Sequence, residues 1–217
     1  MQSTTKKMCT LAMLSALAYI VMAISRAMPP IVLFLKYDPK DIIITIGGFL
    51  FGPLPALTIT TVVAFLEMFT VSDTGYIGLI MNIIAGCSFA CTAAFIYKRN
   101  RTLKGAIIGL IAAWLFTTAV MVMWNYLITP LYLNRPRSEI ASLLIPVFVP
   151  FNLIKGGLNA ALTMLLYKPV KAALQASHLM PDATVQVKGR INPGVIIASF
   201  FVIVTCILWV LVIQGKL

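Results

Sequence analysis

One apolar run, about residues 140–166, is long enough to cross a bilayer, for which about 20 residues suffice. Its middle reads Pro150-Phe151-Asn152-Leu153-Ile154-Lys155-Gly156-Gly157-Leu158-Asn159, so it carries a lysine and two asparagines. A charge near the bilayer centre costs about 2.5 kcal/mol or more. A fold that keeps this segment in a membrane has to pair, solvate or ligand the lysine. Asn152, Lys155 and Asn159 fall at i, i+3 and i+7 and share one helix face. That face is expected to line a binding cavity that other helices complete.

The rest of the chain has the same character. Of 217 residues 60% are hydrophobic and 11% charged, and the mean hydropathy is +0.98. Such a chain is too apolar for a soluble domain and fits an all-α, polytopic membrane protein. A net charge of +11 raises the question of nucleic acid. The basic residues instead sit at segment ends, where they anchor helices in the cytoplasm, so no nucleic-acid partner is expected. No cleavable signal peptide is expected: residues 1–7 lead into a span without a small-residue cleavage site. Cys87 and Cys91 are i, i+4 neighbours, but no histidine or further cysteine stands nearby. They are read as small core residues rather than metal ligands.

The first span covers about 8–25 and presents Ala12 and Ala16, four apart, with Ser15 and Ala23 nearby. Such a small-residue face permits close helix approach, either within the protein or against another membrane subunit. Residues 27–40 form a loop with Pro29-Pro30 and Asp38-Pro39, and Phe34 and Tyr37 make it partly apolar, so it is a candidate lid. Asp38 or Asp41 is positioned to cap the next helix. That second span, about 41–51, is short and ends at Gly52-Pro53, a tight turn into an antiparallel third span over about 54–71 that carries Glu67. A polar turn at 72–75 leads to a fourth span over about 76–97 with Asn82. The basic loop Lys98-Arg99-Asn100-Arg101-Thr102-Leu103-Lys104 follows. A fifth span covers about 105–132 and carries Asn125. The opening run is the sixth, closed by Lys168 and Lys171. The expected organisation is a six-helix substrate-binding membrane domain over 1–174, a cytoplasmic linker over 175–192 containing His178, and an additional transmembrane helix within 193–217. No internal repeat is evident.

With the N-terminus in the cytoplasm, Lys6, Lys7, Lys98, Arg99, Arg101, Lys104, Lys168, Lys171, Lys188 and Arg190 fall inside. Arg26, Lys36, Lys40, Arg135, Arg137 and Lys216 fall outside. Ten against six favours this orientation. At about 1.5 Å rise per residue, Lys155 lies about 20 Å above Lys168, Glu67 about 21 Å above Pro53, and Asn82 about 24 Å above Lys98. Asn125 lies higher and Asn159 nearer the midplane. Polar groups from four spans therefore meet toward one outer level, over an inner half nearly free of them. A pore would carry polar residues through its depth; this pattern fits a pocket open on one side.

Asparagine amides present donors and an acceptor on one plane. Asn82, Asn125, Asn152 and Asn159 suit a neutral polar ligand with alternating donors and acceptors. Lys155 can donate to a carbonyl, and Glu67 can accept from an N–H or hydroxyl. Phe34, Tyr37, Tyr76 and Tyr126 lie at the level to pack on a flat ring. The competing reading is a Glu67–Lys155 ion pair with asparagines bonding between helices. Trp124, Trp209 and most tyrosines read as an interfacial belt. No H-E-x-x-H, G-x-S-x-G or C-x-x-C occurs, and no histidine lies in any span, so an enzyme is not expected. Without G-x-x-x-x-G-K-[ST], uphill transport has to draw on an ion gradient or a partner.

These pieces together resemble a known family, the riboflavin-binding S components (RibU type) of energy-coupling-factor (ECF) vitamin transporters. The likeness covers about 8–171. It rests on Lys36-Tyr37-Asp38-Pro39-Lys40-Asp41, on Gly47-Gly48-Phe49-Leu50-Phe51-Gly52-Pro53, on Glu67 followed by Gly75-Tyr76-Ile77-Gly78-Leu79-Ile80-Met81-Asn82, and on Pro150-Phe151-Asn152-Leu153-Ile154-Lys155-Gly156. It implies a six-helix core and a riboflavin site near the outer face, formed by Asn152, Lys155, Asn159, Glu67, Asn82, Asn125, Tyr37, Asp38 and Tyr76. Riboflavin is then the transported ligand and no cofactor is implied. It also implies that Ala12 and Ala16 dock on a shared transmembrane subunit, with two cytoplasmic ATPases driving transport. The span within 193–213 departs from the six-helix pattern. The alternative function is a stand-alone carrier of a small planar polar solute, with Glu67 as its proton site. A third is a non-transporting membrane scaffold.

Overall fold

A computed structural model describes residues 4–27, 30–31, 35–72, 74–177 and 192–214. Phe34, His178, Lys188, Arg190 and Lys216, all weighed above, lie outside the described residues, as does most of the expected linker. The described chain is helical almost throughout. Helix α1 spans Thr4–Arg26, α2 Lys40–Phe51 and α3 Pro53–Thr70. Helix α4 spans Gly75–Arg99, α5 Leu103–Leu127, α6 Arg137–Ala176 and α7 Pro193–Ile213. A short helix, Thr129–Leu133, joins α5 to α6. Six of the seven, all but α2, are long and apolar enough to cross a membrane. At 12 residues α2 reaches only about 18 Å, against a hydrocarbon core of about 30 Å.

The elements begin and end where the local chemistry dictates. Gly52 joins α2 to α3 at φ +100°, a left-handed conformation that a side chain would strain, and Pro53 starts α3 where its missing N–H is no loss. Thr102 caps α5 by accepting from the Gly105 N–H at 3.1 Å. Asn192 caps α7, accepting from Gly194 at 3.0 Å. Pro146 cannot donate to the helical ladder, and the π turn Leu144–Phe148 around it absorbs the missing bond so that α6 continues. A second π turn, Cys87–Cys91, lies within α4. Helix α6 starts before and ends beyond the run seen in the sequence. Its 40 residues amount to about 60 Å, twice the hydrocarbon thickness.

Packing is tightest around α2, which touches α1, α3, α4 and α6. Every one of its residues from Lys40 to Phe49 is buried. Small residues make this possible: a side chain at Gly48 would place its Cβ 2.9 Å from Ala94 Cβ and 3.1 Å from Ala56 Cβ. One apolar cluster joins Leu14, Ala18, Ile43, Ile44, Ala56, Ile59, Val63 and Ala90. A second joins Phe49, Phe89, Ala93, Ala106, Leu110 and Ala113, and Tyr97 and Tyr167 pack against it. At one end of the bundle lie Lys98, Arg99, Arg101, Lys104, Lys168 and Lys171. At the other lie the C-terminus of α1, the N-termini of α2, α4 and α6, and the cavity described next.

Candidate functional site

The cavity holds about 380 Å³ and lies at the end of the bundle away from the basic cluster. Pockets for small organic ligands run from about 300 to 1,000 Å³. Its lining comes from α1, the segment 35–38, and α2, α4, α5 and α6. The structure brings together Asn82, Asn125, Asn152, Lys155, Asn159, Tyr37 and Asp38 on its walls. Phe89, Phe151 and Trp124 supply the apolar surface that a flat ring needs.

Two of the amides are held by the backbone of their own helices. Asn152 donates to the Phe148 carbonyl at 2.7 Å, one turn back on α6. Asn125 donates to the Met121 carbonyl at 2.7 Å and accepts from the Thr129 hydroxyl at 2.9 Å. Both amides are pinned to backbone, so their orientation is set before any ligand arrives. Asn82 makes no hydrogen bond among the described residues and its amide is open to the cavity. Asn159 accepts from the Tyr37 hydroxyl at 2.8 Å and donates to Asp41 Oδ2 at 3.4 Å. The same Asp41 oxygen lies 3.3 Å from Lys155 Nζ. A continuous line Tyr37–Asn159–Asp41–Lys155 therefore ties segment 35–38 to α2 and α6. Lys155 keeps one-fifth of its side chain exposed, which leaves donors for a ligand beyond the aspartate. Burial, and then the neighbouring Asp41 and Asp38 carboxylates, push the Tyr37 hydroxyl far above its ordinary range, so Tyr37 stays a neutral donor. Burial opposes ionisation of Asp38, yet Lys40 and Lys155 together outweigh it and hold that carboxyl below its ordinary value.

Two expected site residues stand elsewhere. Glu67 is fully buried and is absent from the cavity wall. It is clamped between the Arg26 guanidinium and the Lys40 ammonium. Its depth along α3 fits the cavity level, but the helix turns it toward α1 and α2. Lys40 also pairs with Asp38 at 2.7 Å. The expected Glu67–Lys155 alternative is likewise replaced, because Lys155 pairs with Asp41. Tyr76 is 76% exposed and points away from the cavity, near the first turn of α4, where the helix presents it outward. Tyr126 is also exposed and off the wall.

Sequence reasoning took Asp41 only as a cap. It is Asp38 whose carboxylate accepts from the first N–H of α2, Lys40, at 3.1 Å. Trp114 was not singled out. Its indole N–H donates to the Leu153 carbonyl at 2.9 Å, and only glycine at 156 leaves room, since a Cβ there would lie 2.2 Å from Trp114 Cδ1. The Gly156-Gly157 pair was the available signal for such a close approach. Ala12 and Ala16 are exposed along α1, among the exposed Met8, Met13, Leu17 and Ile20. Among the described residues no cluster of histidine, cysteine and carboxylate fit to hold a metal occurs.

Comparison with known proteins bears on this geometry. The family described as ECF transporter, substrate-specific component matches residues 6–167. The riboflavin transporter RibU of Staphylococcus aureus (strain TCH60) is 32% identical over 170 residues, spanning 75% of this chain and 89% of that protein. The riboflavin transporter FmnP of Bacillus subtilis (strain 168) is 27% identical over 175 residues, spanning 76% and 92%. A solved S component of a bacterial ECF transporter matches with a TM-score of 0.66 and 30% identity, covering 80% of this chain and 99% of that one. The match to that S component supports the all-α S-component fold.

Proposed function

The chain belongs to the family of ECF transporter substrate-specific components, and from that premise we propose that it captures riboflavin for ATP-driven uptake across a bacterial plasma membrane. The family is one of transporter components, not of enzymes. The observation that carries the ligand is the wall of asparagines around Lys155, with Asn152, Asn125 and Asn82 on one cavity beside Phe151 and Trp124. An isoalloxazine ring alternates carbonyl acceptors with ring nitrogens and one imide donor along one edge. Fixed amides and an ammonium complement that edge, and the aromatic walls cover its faces.

The binding residues are Asn152, Lys155, Asn159, Asn82, Asn125, Tyr37 and Asp38, with Asp41 holding Lys155. Glu67 supports the site from behind through Lys40 and Arg26. The cavity opens to the extracytoplasmic side, with the N-terminus and the basic cluster in the cytoplasm, in accord with the positive-inside tendency. Residues 1–174 form the substrate-binding unit and α7 is an addition to it. The exposed Ala12 and Ala16 let a shared transmembrane subunit approach α1 closely, and two cytoplasmic ATPases supply the energy. A stand-alone proton-coupled carrier would need Glu67 to meet water. Its closure between two cations argues against that role.

The test is titration of the purified full chain with riboflavin in detergent and in liposomes. Stoichiometric binding is expected. Absence of binding in both settings would overturn the proposal. Uptake into proteoliposomes should require the ATPase module; uptake by this chain alone under a proton gradient would favour the carrier.

A further inference from the structure

Helix α7 has no residue on the cavity lining, yet two of its residues reach elements that build the wall. The first is Cys206, which is buried, with Sγ 3.9 Å from the Ile154 carbonyl. A Cβ at Gly157 would lie 3.4 Å from the same sulfur and 3.5 Å from Trp114 Cζ2 on the other side. Ile154 and Gly157 alternate along α6 with Asn152, Lys155 and Asn159, which line the cavity. Helix α7 therefore backs the turns of α6 that carry the site. The Tyr37 hydroxyl, whose ionisation is opposed first by burial and then by Asp41 and Asp38, also lies within electrostatic reach of Cys206.

The second is Gln214, the C-cap of α7. Its backbone N–H returns to the Val210 carbonyl at 3.0 Å, which leaves the side chain to reach outward. The side-chain amide donates to the Ile31 carbonyl at 3.4 Å. Ile31 in turn donates its N–H to the Leu35 carbonyl at 2.9 Å. Leu35, Lys36, Tyr37 and Asp38 then run along the cavity lining. The backbone of 36–38 belongs to no helix or strand, so its position depends on its side-chain bonds and on what pins Ile31 and Leu35.

We propose that α7 braces the ligand site from outside, with Gln214 as a positioning residue that holds segment 35–38 against α6 and the Cys206–Gly157 seam as its footing. This rests on the riboflavin reading above and deepens it. Gln214 touches no ligand and acts through Ile31 and Leu35. Without it, segment 35–38 is freer to part from α6, and the Tyr37–Asn159 bond across the wall opens more often. Release is where the loss shows, since variants of one site differ mostly in dissociation rate. An apolar seam alone would give α7 no such part, because lipid covers an apolar face equally well. The polar contact at the helix end is what ties it to the site.

The experiment is stopped-flow release of riboflavin from the full chain in nanodiscs, with amide hydrogen exchange over 35–38 measured beside it without ligand. The wild type is compared with Gln214→Ala, Gln214→Glu and Gln214→Lys, and with Phe201→Leu on the exposed face of α7 as control. Gln214→Ala should speed release about threefold, with association rate and unfolding temperature unmoved. Gln214→Glu sets an acceptor against the Ile31 carbonyl and should speed release further. Gln214→Lys keeps a donor and should restore the wild-type rate. Exchange over 35–38 should quicken in the first two variants and not in Gln214→Lys or Phe201→Leu. Release unmoved by Gln214→Ala and Gln214→Glu overturns the brace and leaves the riboflavin reading standing. An equal acceleration by Phe201→Leu overturns it too, because the effect would then not pass through Gln214. A wild type that binds no riboflavin overturns that reading, and the exchange arm alone then decides the brace, which fails if Gln214→Ala leaves 35–38 unchanged.

Discussion

Helices α2 and α7 invert the usual expectation about apolarity and burial. Helix α2 is the shortest of the seven and carries Lys40 and Asp41, yet it is enclosed on nearly every side. Helix α7 is the most apolar, and only Ser199 and Cys206 along it are buried, where it lies on α6. Lipid tails are as apolar as leucine, so hydrophobicity alone gives a helix no reason to leave them. Close packing and polar pairing supply the reason. Helix α2 has Gly47 and Gly48 for approach, and ion pairs on both sides of its first turn. Helix α7 packs along α6 alone among the long helices, with Cys206 against the Ile154 carbonyl at 3.9 Å and against Gly157, and leaves most of its surface outside the fold.

This contrast can be broken or sharpened by substitution, and the largest effect belongs to the pairing behind α2. Glu67→Ala leaves Lys40 and Arg26 without their shared carboxylate. A loss of about 3–5 kcal/mol is expected, read as a fall in thermal unfolding temperature in detergent. A fall no greater than that of a surface variant would show that the pairing is not what encloses α2. Gly48→Val comes next. It drives a side chain into Ala94 and Ala56 and should cost about 1–3 kcal/mol by the same measurement. Asn152→Ala removes a cavity amide and should cost riboflavin about 1–3 kcal/mol of affinity, measured by titration, with unfolding temperature nearly unmoved. The smallest effect belongs to α7. Phe201→Leu on its exposed face should stay within about 0.5 kcal/mol. A large loss there would mean that the outward face of α7 is also packed against something, beyond its seam with α6.

The same contrast marks what a sequence reveals in a membrane chain. Asn152, Lys155 and Asn159 were legible because a polar group in an apolar run is costly, and cost announces function. The α2–α3 turn was legible because Gly52-Pro53 permits little else. Depth was legible too, since rise per residue is constant, and it placed Asn82 and Asn125 at the right level. Direction around a helix axis was not. Glu67 and Tyr76 have the right depth, but one faces α1 and α2 and the other faces outward. An isolated polar residue in a span gives no second residue to define its face, whereas three at i, i+3 and i+7 define theirs. Asp41 went unread for a different reason. A carboxylate at a helix start has an ordinary role, and only the fold brings α6 within 3.3 Å of it.

The shortness of α2 bears on how the chain is made. A segment of about 18 Å that begins with two charges cannot be threaded into the bilayer by itself, so it has to enter as one leg of a hairpin with α3. Lys155, the partner of Asp41, emerges 114 residues later. At about 5–20 residues per second of synthesis, that carboxylate waits on the order of ten seconds for its counter-ion. Through that interval the nascent hairpin has to be sheltered at the insertion channel or lie shallow in the headgroups, and it settles to full depth only as α6 arrives.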